Sequence, residues 1–305
     1  MKQRIIIDCD PGVDDALALL LAAGLPGLEL LAVTAVAGNR PVDITAANAR
    51  RVLDLAGLPA VPVYAGAARP LGYREARCNL VHGADGLGGV ALGSDGQVAP
   101  GHAALRMAQL LDEAPAGSID LVAIGPLTNL ALCEMLAPGS LARARRLLVM
   151  GGAVRVPGNI TPAAEFNFYA DPVAARMVCE AGAELLLFPL DVTSQAVMHP
   201  AWIAAFAGAA NACGRAAGAM LAAYALQDAL LHDACPVAWL ARPELFTGED
   251  CHLQVDWRDG PSAGHVQAWF GERDDAPGPV TARVMTGVDN AALLALVAQA
   301  IGNLP

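Results

Sequence analysis

Four aspartates lie within eight residues near the start of the chain, at Asp8, Asp10, Asp14 and Asp15. Carboxylates this close repel one another, which shifts their pKa values, and a bound cation would relieve the repulsion. Oxygen ligands of this kind suit calcium or magnesium rather than zinc or copper, and calcium better tolerates a crowded, irregular ligand set. The spacing therefore predicts a metal site or a catalytic site in this segment.

A plainer interpretation is that these aspartates only cap a helix, since aspartate is a common N-cap residue. Capping can account for Asp14 or Asp15, but it leaves Asp8 and Asp10 without a role. Because clustered, unpaired charge is costly, we favour the metal or catalytic interpretation.

Other polar residues have ordinary explanations when each is taken alone. Asn39 follows a predicted strand, where asparagine is commonly a helix cap. His82 lies in a glycine-rich loop, where an exposed histidine is usual, and His232 with Asp233 could form a surface turn.

A further group, Asn159, Glu165 and Asn167, lies in one short segment. A loop with turn-forming asparagines is the plain explanation, although Glu165 and Asn167 would face the same side of an extended chain. Asparagine and glutamate can bind vicinal sugar hydroxyls, while a carboxylate-held cation binds hydroxyls and water. Together these residues indicate a hydrolase that acts on a sugar through an oxocarbenium-like transition state.

The elements that position these residues follow an alternating pattern of apolar strands and amphipathic helices. Strands are predicted at residues 4–7, 28–36, 61–64, 118–124, 146–150 and 184–188, with helices at 13–23 and 41–56. This order predicts a mainly parallel sheet with ligands at the carboxyl ends of its strands. The Asp cluster, Asn39, Gly125 and Met150 all fall at such ends.

The second half of the chain departs from this pattern. Residues 195–232 have a helical, alanine-rich composition, and residues 253–256, 265–270 and 281–285 are typical of antiparallel strands before a last helix at 290–301. The fold class is therefore predicted as α/β: one domain over residues 1–305, with a Rossmann-like, mainly parallel sheet flanked by helices. A small antiparallel extension is expected near the C-terminus.

Composition narrows the class of protein. Apolar residues make up 55% of the 305-residue chain, and the net charge of −11 disfavours nucleic acid binding. Apolar stretches are too short to span a membrane or to form a signal peptide. The seven cysteines are scattered without a C-x-x-C pair, so we expect reduced thiols in a cytoplasmic protein and no thiolate zinc site.

The segment Asp8-x-Asp10-Pro11-Gly12-x-Asp14-Asp15 resembles the signature of the inosine-uridine type nucleoside hydrolases. The resemblance covers almost the whole chain, through Ala37-Gly38-Asn39, residues 125–129, residues 149–152, Glu165-Phe166-Asn167 with Asp171-Pro172, and His232-Asp233. It implies hydrolysis of the N-glycosidic bond of ribonucleosides to free base and ribose, in nucleoside salvage. It also implies a homodimer or homotetramer.

The resemblance also implies a metal site. Asp10, Asp15, Asp233 and the backbone carbonyl of Ile124 match calcium ligands. Asp14 matches the general base that deprotonates a calcium-bound water. Asp8 would brace the ligands.

The same resemblance implies which residues bind the substrate. Asn39, Asn159, Glu165 and Asn167 match ribose-binding positions, and Met150 matches a residue that lines the ribose pocket. His82 matches a residue near the base, and His232 matches one that protonates the leaving base in part of the family. Tyr224 and Gln227 are the candidates for the base pocket in the alanine-rich region, which leaves purine, pyrimidine and broad specificity open.

Two rival functions fit the sequence less well. A phosphatase of the haloacid dehalogenase type would use Asp8 as nucleophile with magnesium, but it needs a downstream lysine, and Lys2 is the sole lysine of the sequence. A non-catalytic nucleoside or ribose sensor on the same fold is disfavoured by Asp14, because binding alone does not require a base beside the water.

Overall fold

The computed structural model describes residues 2–79, 81–94, 96–271 and 275–305. Within these residues one sheet has the strand order β3-β2-β1-β4-β5-β6-β9-β7-β8. The strands are β1 (Gln3–Cys9), β2 (Leu28–Ala35), β3 (Val63–Ala65), β4 (Ile119–Ala123), β5 (Arg146–Met150), β6 (Leu185–Phe188), β7 (Phe246–Val255), β8 (Val266–Phe270) and β9 (Ala282–Val288).

Helices cover both faces of this sheet. They are α1 (Val13–Gly24), α2 (Val42–Leu55), α3 (Ala103–Glu113), α4 (Thr128–Leu136), α5 (Phe166–Ala170), α6 (Pro172–Cys179), α7 (Leu190–Thr193), α8 (Pro200–Ala205), α9 (Ala212–Tyr224), α10 (Ala234–Ala241) and α11 (Asn290–Gly302). Short 3₁₀ turns occur at Leu141–Arg143, Phe206–Gly208 and Pro243–Leu245.

The central strands are apolar on both faces, since each face packs against helices. In β1, Ile5 and Ile7 belong to the core layer that includes α1, α2, α9, α10 and α11, while Ile6 belongs to the layer that includes α3, α4 and α6. All three isoleucines are fully buried. β1 through β6 pair in parallel, which confirms the predicted α/β class and mainly parallel sheet.

The C-terminal extension differs in one respect from the prediction of three antiparallel strands. β7 is antiparallel to both β8 and β9, but β9 is parallel to β6. β9 therefore continues the parallel sheet and joins the extension to it. An apolar run carries no information about strand direction, so the sequence could not reveal this pairing.

The alanine-rich region is less helical than predicted. After α8 and α9, residues 225–233 form no continuous helix, although they include a turn and a bridge between Val197 and Leu230. Irregular backbone here brings polar residues of this segment to the carboxyl end of the sheet. In the described part of the chain, no helix has the length and apolar character needed to cross a bilayer.

Candidate active site

A pocket with a cavity volume of about 110 Å³ lies at the carboxyl end of the sheet. Residues at or just beyond the ends of β4 and β5, Ile124 and Met150, form part of its wall. Asp14 on the first turn of α1 and Asp233 at the start of α10 complete this side. Its position agrees with the rule for ligands in parallel sheets.

A cluster of carboxylates lies at the floor of the pocket. Asp10 and Asp15 are 1% and 0% exposed and lie beneath the lining residues, while Asp233 is 5% exposed and reaches the surface of the pocket. Asp15 accepts hydrogen bonds from the backbone N–H of Asp10 and of Gly12, both at 3.0 Å. This local geometry, in which Asp15 caps the first turn of α1, holds the cluster together.

The close approach of Asp10 to its neighbours requires glycine. A Cβ atom at Gly38 would collide with Asp10 Oδ2, and one at Gly125 would lie 2.5 Å from Asp10 Oδ1. The backbone N–H of Asn39 donates to Asp10 Oδ2 at 2.5 Å. These glycines belong to the segments 37–39 and 125–129, which carry part of the family resemblance. Both segments therefore form walls around Asp10.

Burial raises the pKa values throughout this cluster, because a charged carboxylate loses its hydration there. The pKa of Asp15 rises to about 6, and those of Asp10 and Asp233 rise well above the usual range, partly through the charge of neighbouring aspartates. The carboxyl groups of Asp10 and Asp233 both interact electrostatically with that of Asp15. Protonation of one member, or a bound cation, would offset part of this repulsion.

The cluster fits a hard cation by its chemistry. Among the described residues, no three His, Cys, Asp or Glu side chains are already arranged so that they could hold a metal ion. However, Asp8 Oδ2, Asp10 Oδ1 and Asp14 Oδ1 are buried acceptors that have no hydrogen-bond partner among the described residues. Buried carboxylate oxygens without donors are what an oxygen-preferring cation would satisfy, so the chemistry of the cluster fits such an ion.

Asp14 differs from Asp8, Asp10 and Asp15 because it lines the pocket while one of its oxygens is fixed. Its Oδ2 accepts hydrogen bonds from the backbone N–H of His232 at 2.9 Å and of Asp233 at 3.0 Å. Its Oδ1 has no partner, and Asp14 lines the pocket. Burial raises the pKa of Asp14 to about 7, against the effect of the nearby His232. A carboxylate with that pKa and one unpartnered oxygen is suited to accept a proton.

Asp8 lies inside β1, behind the cluster. Its Oδ1 accepts hydrogen bonds from Thr34 Oγ1 at 2.5 Å and from Asn129 Nδ2 at 2.8 Å. Burial raises its pKa to about 7. Asp8 therefore links β1 to β2 and α4 and is not part of the pocket lining.

The residues predicted to bind ribose line the same pocket: Asn39, Asn159, Glu165 and Asn167, with Met150 beside them. Asn167 Nδ2 donates to the carbonyl oxygens of Ile124 at 3.1 Å and Met150 at 3.2 Å. Their amides and carboxylate are thus held by backbone contacts before any ligand arrives.

The segment that carries Glu165 is not extended, contrary to the geometry considered from the sequence. Glu165 is the N-cap of α5: its Oε1 accepts from Asn167 N at 2.8 Å, and its Oε2 accepts from Gly152 N at 2.9 Å. Glu165 and Asn167 share the pocket because of this cap rather than through strand alternation.

The other half of the pocket, which we call the base half, is formed by Val81, His82, Tyr224, Asp228 and His232. His82 is only 8% exposed, and its ring stacks on Tyr224 with centroids 5.0 Å apart. Burial lowers the pKa of His82 to about 4, and the charge of Asp228 acts in the opposite direction. His82 is therefore a neutral wall of the pocket rather than the exposed loop residue that its context suggests.

His232 is held on both sides of its ring. Nδ1 lies 2.8 Å from Thr193 Oγ1, and Nε2 lies 3.2 Å from Asp228 Oδ2. Burial alone would lower the pKa of His232, but the hydrogen bond to Asp228 and the charge of Asp14 raise it above its usual value.

The structure therefore brings together the predicted residues from seven distant segments, with one exception. Gln227 is exposed and lies outside the lining of the pocket. Reasoning from the sequence missed Asn79, Val81, Ile160, Phe166 and Asp228, which line it. Asn79 donates to Asn39 Oδ1 at 2.8 Å. Asp228 had no signal in the sequence, because a helical spacing to His232 is not informative where the backbone is not helical.

Comparison with known proteins decides the family. The sequence model described as inosine-uridine preferring nucleoside hydrolase matches residues 5–295. The chain belongs to this family. The pyrimidine-specific ribonucleoside hydrolase RihA of Salmonella gallinarum is 37% identical to this nucleoside hydrolase over 311 residues, covering 98% of each chain.

Solved structures of other nucleoside hydrolases share the fold. A plant nucleoside hydrolase, PpNRh1, is 30% identical with a TM-score of 0.91 and covers 99% of both chains. The purine-preferring ribonucleoside hydrolase of Gardnerella vaginalis is 28% identical with a TM-score of 0.90 and covers 98% of both. The predicted family, fold and enzyme class, an N-glycosyl hydrolase of ribonucleosides, are confirmed.

Proposed function

We propose that this nucleoside hydrolase releases ribose with the help of a calcium ion held by Asp10, Asp15, Asp233 and the carbonyl oxygen of Ile124. The donor set is all oxygen, and Asp10 Oδ1 is buried without a partner. When bound, the ion would make a water molecule more acidic and offset the repulsion among the carboxylates.

Asp14 would act as the general base that takes a proton from the attacking water. The single observation that carries this proposal is the asymmetry of its carboxylate, with Oδ2 fixed by two backbone N–H groups and Oδ1 unpartnered at the pocket. A pKa of about 7 matches proton transfer near neutral pH. Asp8 would brace the site through Thr34 and Asn129.

Asn39, Asn159, Glu165 and Asn167 would bind the ribose hydroxyls, with Met150 against the sugar. Support comes from their shared lining of the pocket and from the backbone contacts that orient them. Fixed hydrogen bonds would hold the sugar in a reactive geometry, and the nearby carboxylates would stabilise positive charge at C1′.

In the base half, His82 and Tyr224 would contact the base and His232 would supply a proton to it as it leaves. The raised pKa of His232 supports this role, because the shift favours the protonated imidazole, which can donate. The relatives named above divide between pyrimidine and purine nucleosides, so base selection must come from residues of this half. Gln227, outside the pocket, has no part in this proposal.

One assay tests the proposal. Purified protein would be incubated with a panel of ribonucleosides, and free ribose would be measured with calcium, after thorough chelation, and after calcium is restored. We expect ribose release that disappears on chelation and returns with calcium. No ribose from any nucleoside would contradict the activity, whereas release that survives chelation would contradict only the role of the ion.

The proposal also includes the domain organisation, the assembly, the location and the cellular role of the protein. One domain over residues 1–305 is supported by a single sheet whose strands run from Gln3 to Val288. Seven free cysteines, six of them buried, favour a reducing, cytoplasmic location. A homodimer or homotetramer acting in nucleoside salvage is the remaining expectation, and light scattering of the purified protein would test the assembly.

A further inference from the structure

Asp228 lines the base half of the pocket, and the reaction proposed above involves it only through its effect on the pKa of His232. Its Oδ2 lies 3.2 Å from Nε2 of His232, whose Nδ1 contacts Thr193 Oγ1 at 2.8 Å. Both ring nitrogens of His232 therefore have protein partners, and Nε2 would exchange Asp228 for the base when the proton is donated. The side chain of Asp228 is 29% exposed and that of His232 is 9% exposed, so the carboxylate is the more accessible group of the pair.

The surroundings of Asp228 favour contact with a base rather than with the sugar. Its backbone N–H donates to the carbonyl of Tyr224, whose ring stacks on His82. Val81 and Ile160, also in the lining, are apolar. A base that enters between these walls meets the side chains of His82, Tyr224, His232 and Asp228, and Asp228 is the only carboxylate of this half.

A carboxylate is selective because it accepts hydrogen bonds and does not donate them. An amino group of a base would be attracted to Asp228, whereas a carbonyl oxygen in the same place would be repelled and left without a donor. The hydrogen bond from His232, which Thr193 holds from behind, limits the freedom of the carboxylate and makes the selection sharper.

We propose that Asp228 is a specificity-determining residue that accepts a hydrogen bond from the exocyclic amino group of the base. This inference rests on the proposed function, and it names the substrate class. Amino-bearing nucleosides, cytidine and adenosine, are preferred over their oxo counterparts, uridine and inosine.

The test compares ratios of kcat/KM for each amino and oxo pair in the wild-type protein and in Asp228→Asn, with calcium present. Asparagine both donates and accepts, so the amino-to-oxo ratio should fall about tenfold or more, the scale of one hydrogen bond to a charged group. Effects of the substitution that are common to both substrates cancel in the ratio. Asp112→Asn, the same chemical change at an exposed position near the end of α3, should keep the wild-type ratio.

A ratio that Asp228→Asn leaves unchanged, in whichever pair is hydrolysed, would overturn the inference while the proposed function stands. Wild-type protein that releases ribose from no nucleoside would instead overturn the proposed function. If Asp228→Asn is folded but inactive, calorimetric binding of free cytosine and free uracil replaces turnover. Loss of a preference for cytosine would support the inference, and an unchanged preference would overturn it.

Discussion

Asp120 and Asp10 are both buried aspartates of the central sheet, one near the amino end of β4 and one just beyond the carboxyl end of β1. Asp120 is surrounded by donors: Arg146 Nε lies 2.9 Å from Oδ1, Gln3 Nε2 donates to Oδ2 at 2.7 Å, and Arg145 pairs with it as well. Asp10 instead has Asp15 as its neighbour.

The two regions consequently have opposite electrostatics. Burial acts to raise the pKa of Asp120, but the hydrogen bonds from Arg145, Arg146 and Gln3 outweigh it and hold that pKa below the usual range. At the carboxyl end of the sheet, where Asp8 lies close to Asp10, burial raises the pKa of Asp8 to about 7.

Burial alone thus does not identify a functional aspartate. What distinguishes the carboxyl end of the sheet is buried charge without compensating cations, which folding alone would not favour. A structural role explains Asp120 completely, whereas the cluster around Asp10 calls for a ligand.

The largest expected effect is on turnover in Asp14→Asn. Asparagine keeps the volume but cannot take a proton, so kcat should fall by roughly 10³-fold, within the usual contribution of a general base. Ribose binding, measured calorimetrically, should change much less. Asp112→Asn serves as the control, and near wild-type kcat in Asp14→Asn would exclude Asp14 as the base.

Next in size is the loss of stability in Asp120→Asn. Arg145 and Arg146 would lose their buried partner, and the free energy of unfolding should fall by about 2–3 kcal/mol with calcium-dependent activity retained. The depressed pKa of Asp120 stabilises the fold above pH ~4 and stops doing so as pH falls through the lower folded value. The gap between wild type and variant in urea unfolding should therefore narrow on acidification. A gap independent of pH would contradict the ion-pair explanation.

The fold could be predicted largely from the sequence because the central strands are short apolar runs that end at polar residues. Ile5, Ile6 and Ile7 before Asp8 show this pattern. The pairing of β9 with β6 could not be predicted from the sequence, because strand order depends on contacts between residues almost 100 positions apart.

The candidate site likewise contains residues that could be predicted from the sequence and residues that could not. The carboxylate cluster was predictable because Asp10, Asp14 and Asp15 are close in sequence and lie where β1 leads into α1. Asp228 was not, because a carboxylate in an alanine-rich stretch is indistinguishable from a solvated surface residue. Only the irregular backbone of residues 225–233 turns it toward His232.

When calcium is chelated, the aspartates at the carboxyl end of the sheet should stabilise the fold less as pH rises. Asp120, at the amino end, should stabilise it less as pH falls. The pKa values of Asp8 and Asp14 are raised to about 7 in the folded protein, so protonation of these groups stabilises it at low pH. That stabilisation is lost as pH rises from about 4 to about 7, opposite in sign to Asp120. Chelated protein should therefore melt several degrees higher at pH ~5.5 than at pH ~8, and saturating calcium should remove this difference. A Tm that rises with pH in the chelated protein would contradict the assignment.

The smallest expected effect is on the stability of chelated Asp233→Asn. Because the pKa of Asp233 is raised well above its usual range by burial and by neighbouring aspartates, a neutral amide should leave stability unchanged or raise it by up to about 1 kcal/mol. The same substitution at Asp120 should instead lower the free energy of unfolding. Calcium should raise the Tm of the wild type but not of Asp233→Asn, since the cation loses a charged ligand. Destabilisation in chelator comparable to that of Asp120→Asn would mean that Asp233 is a structural residue and that the contrast between the two ends of the sheet is wrong.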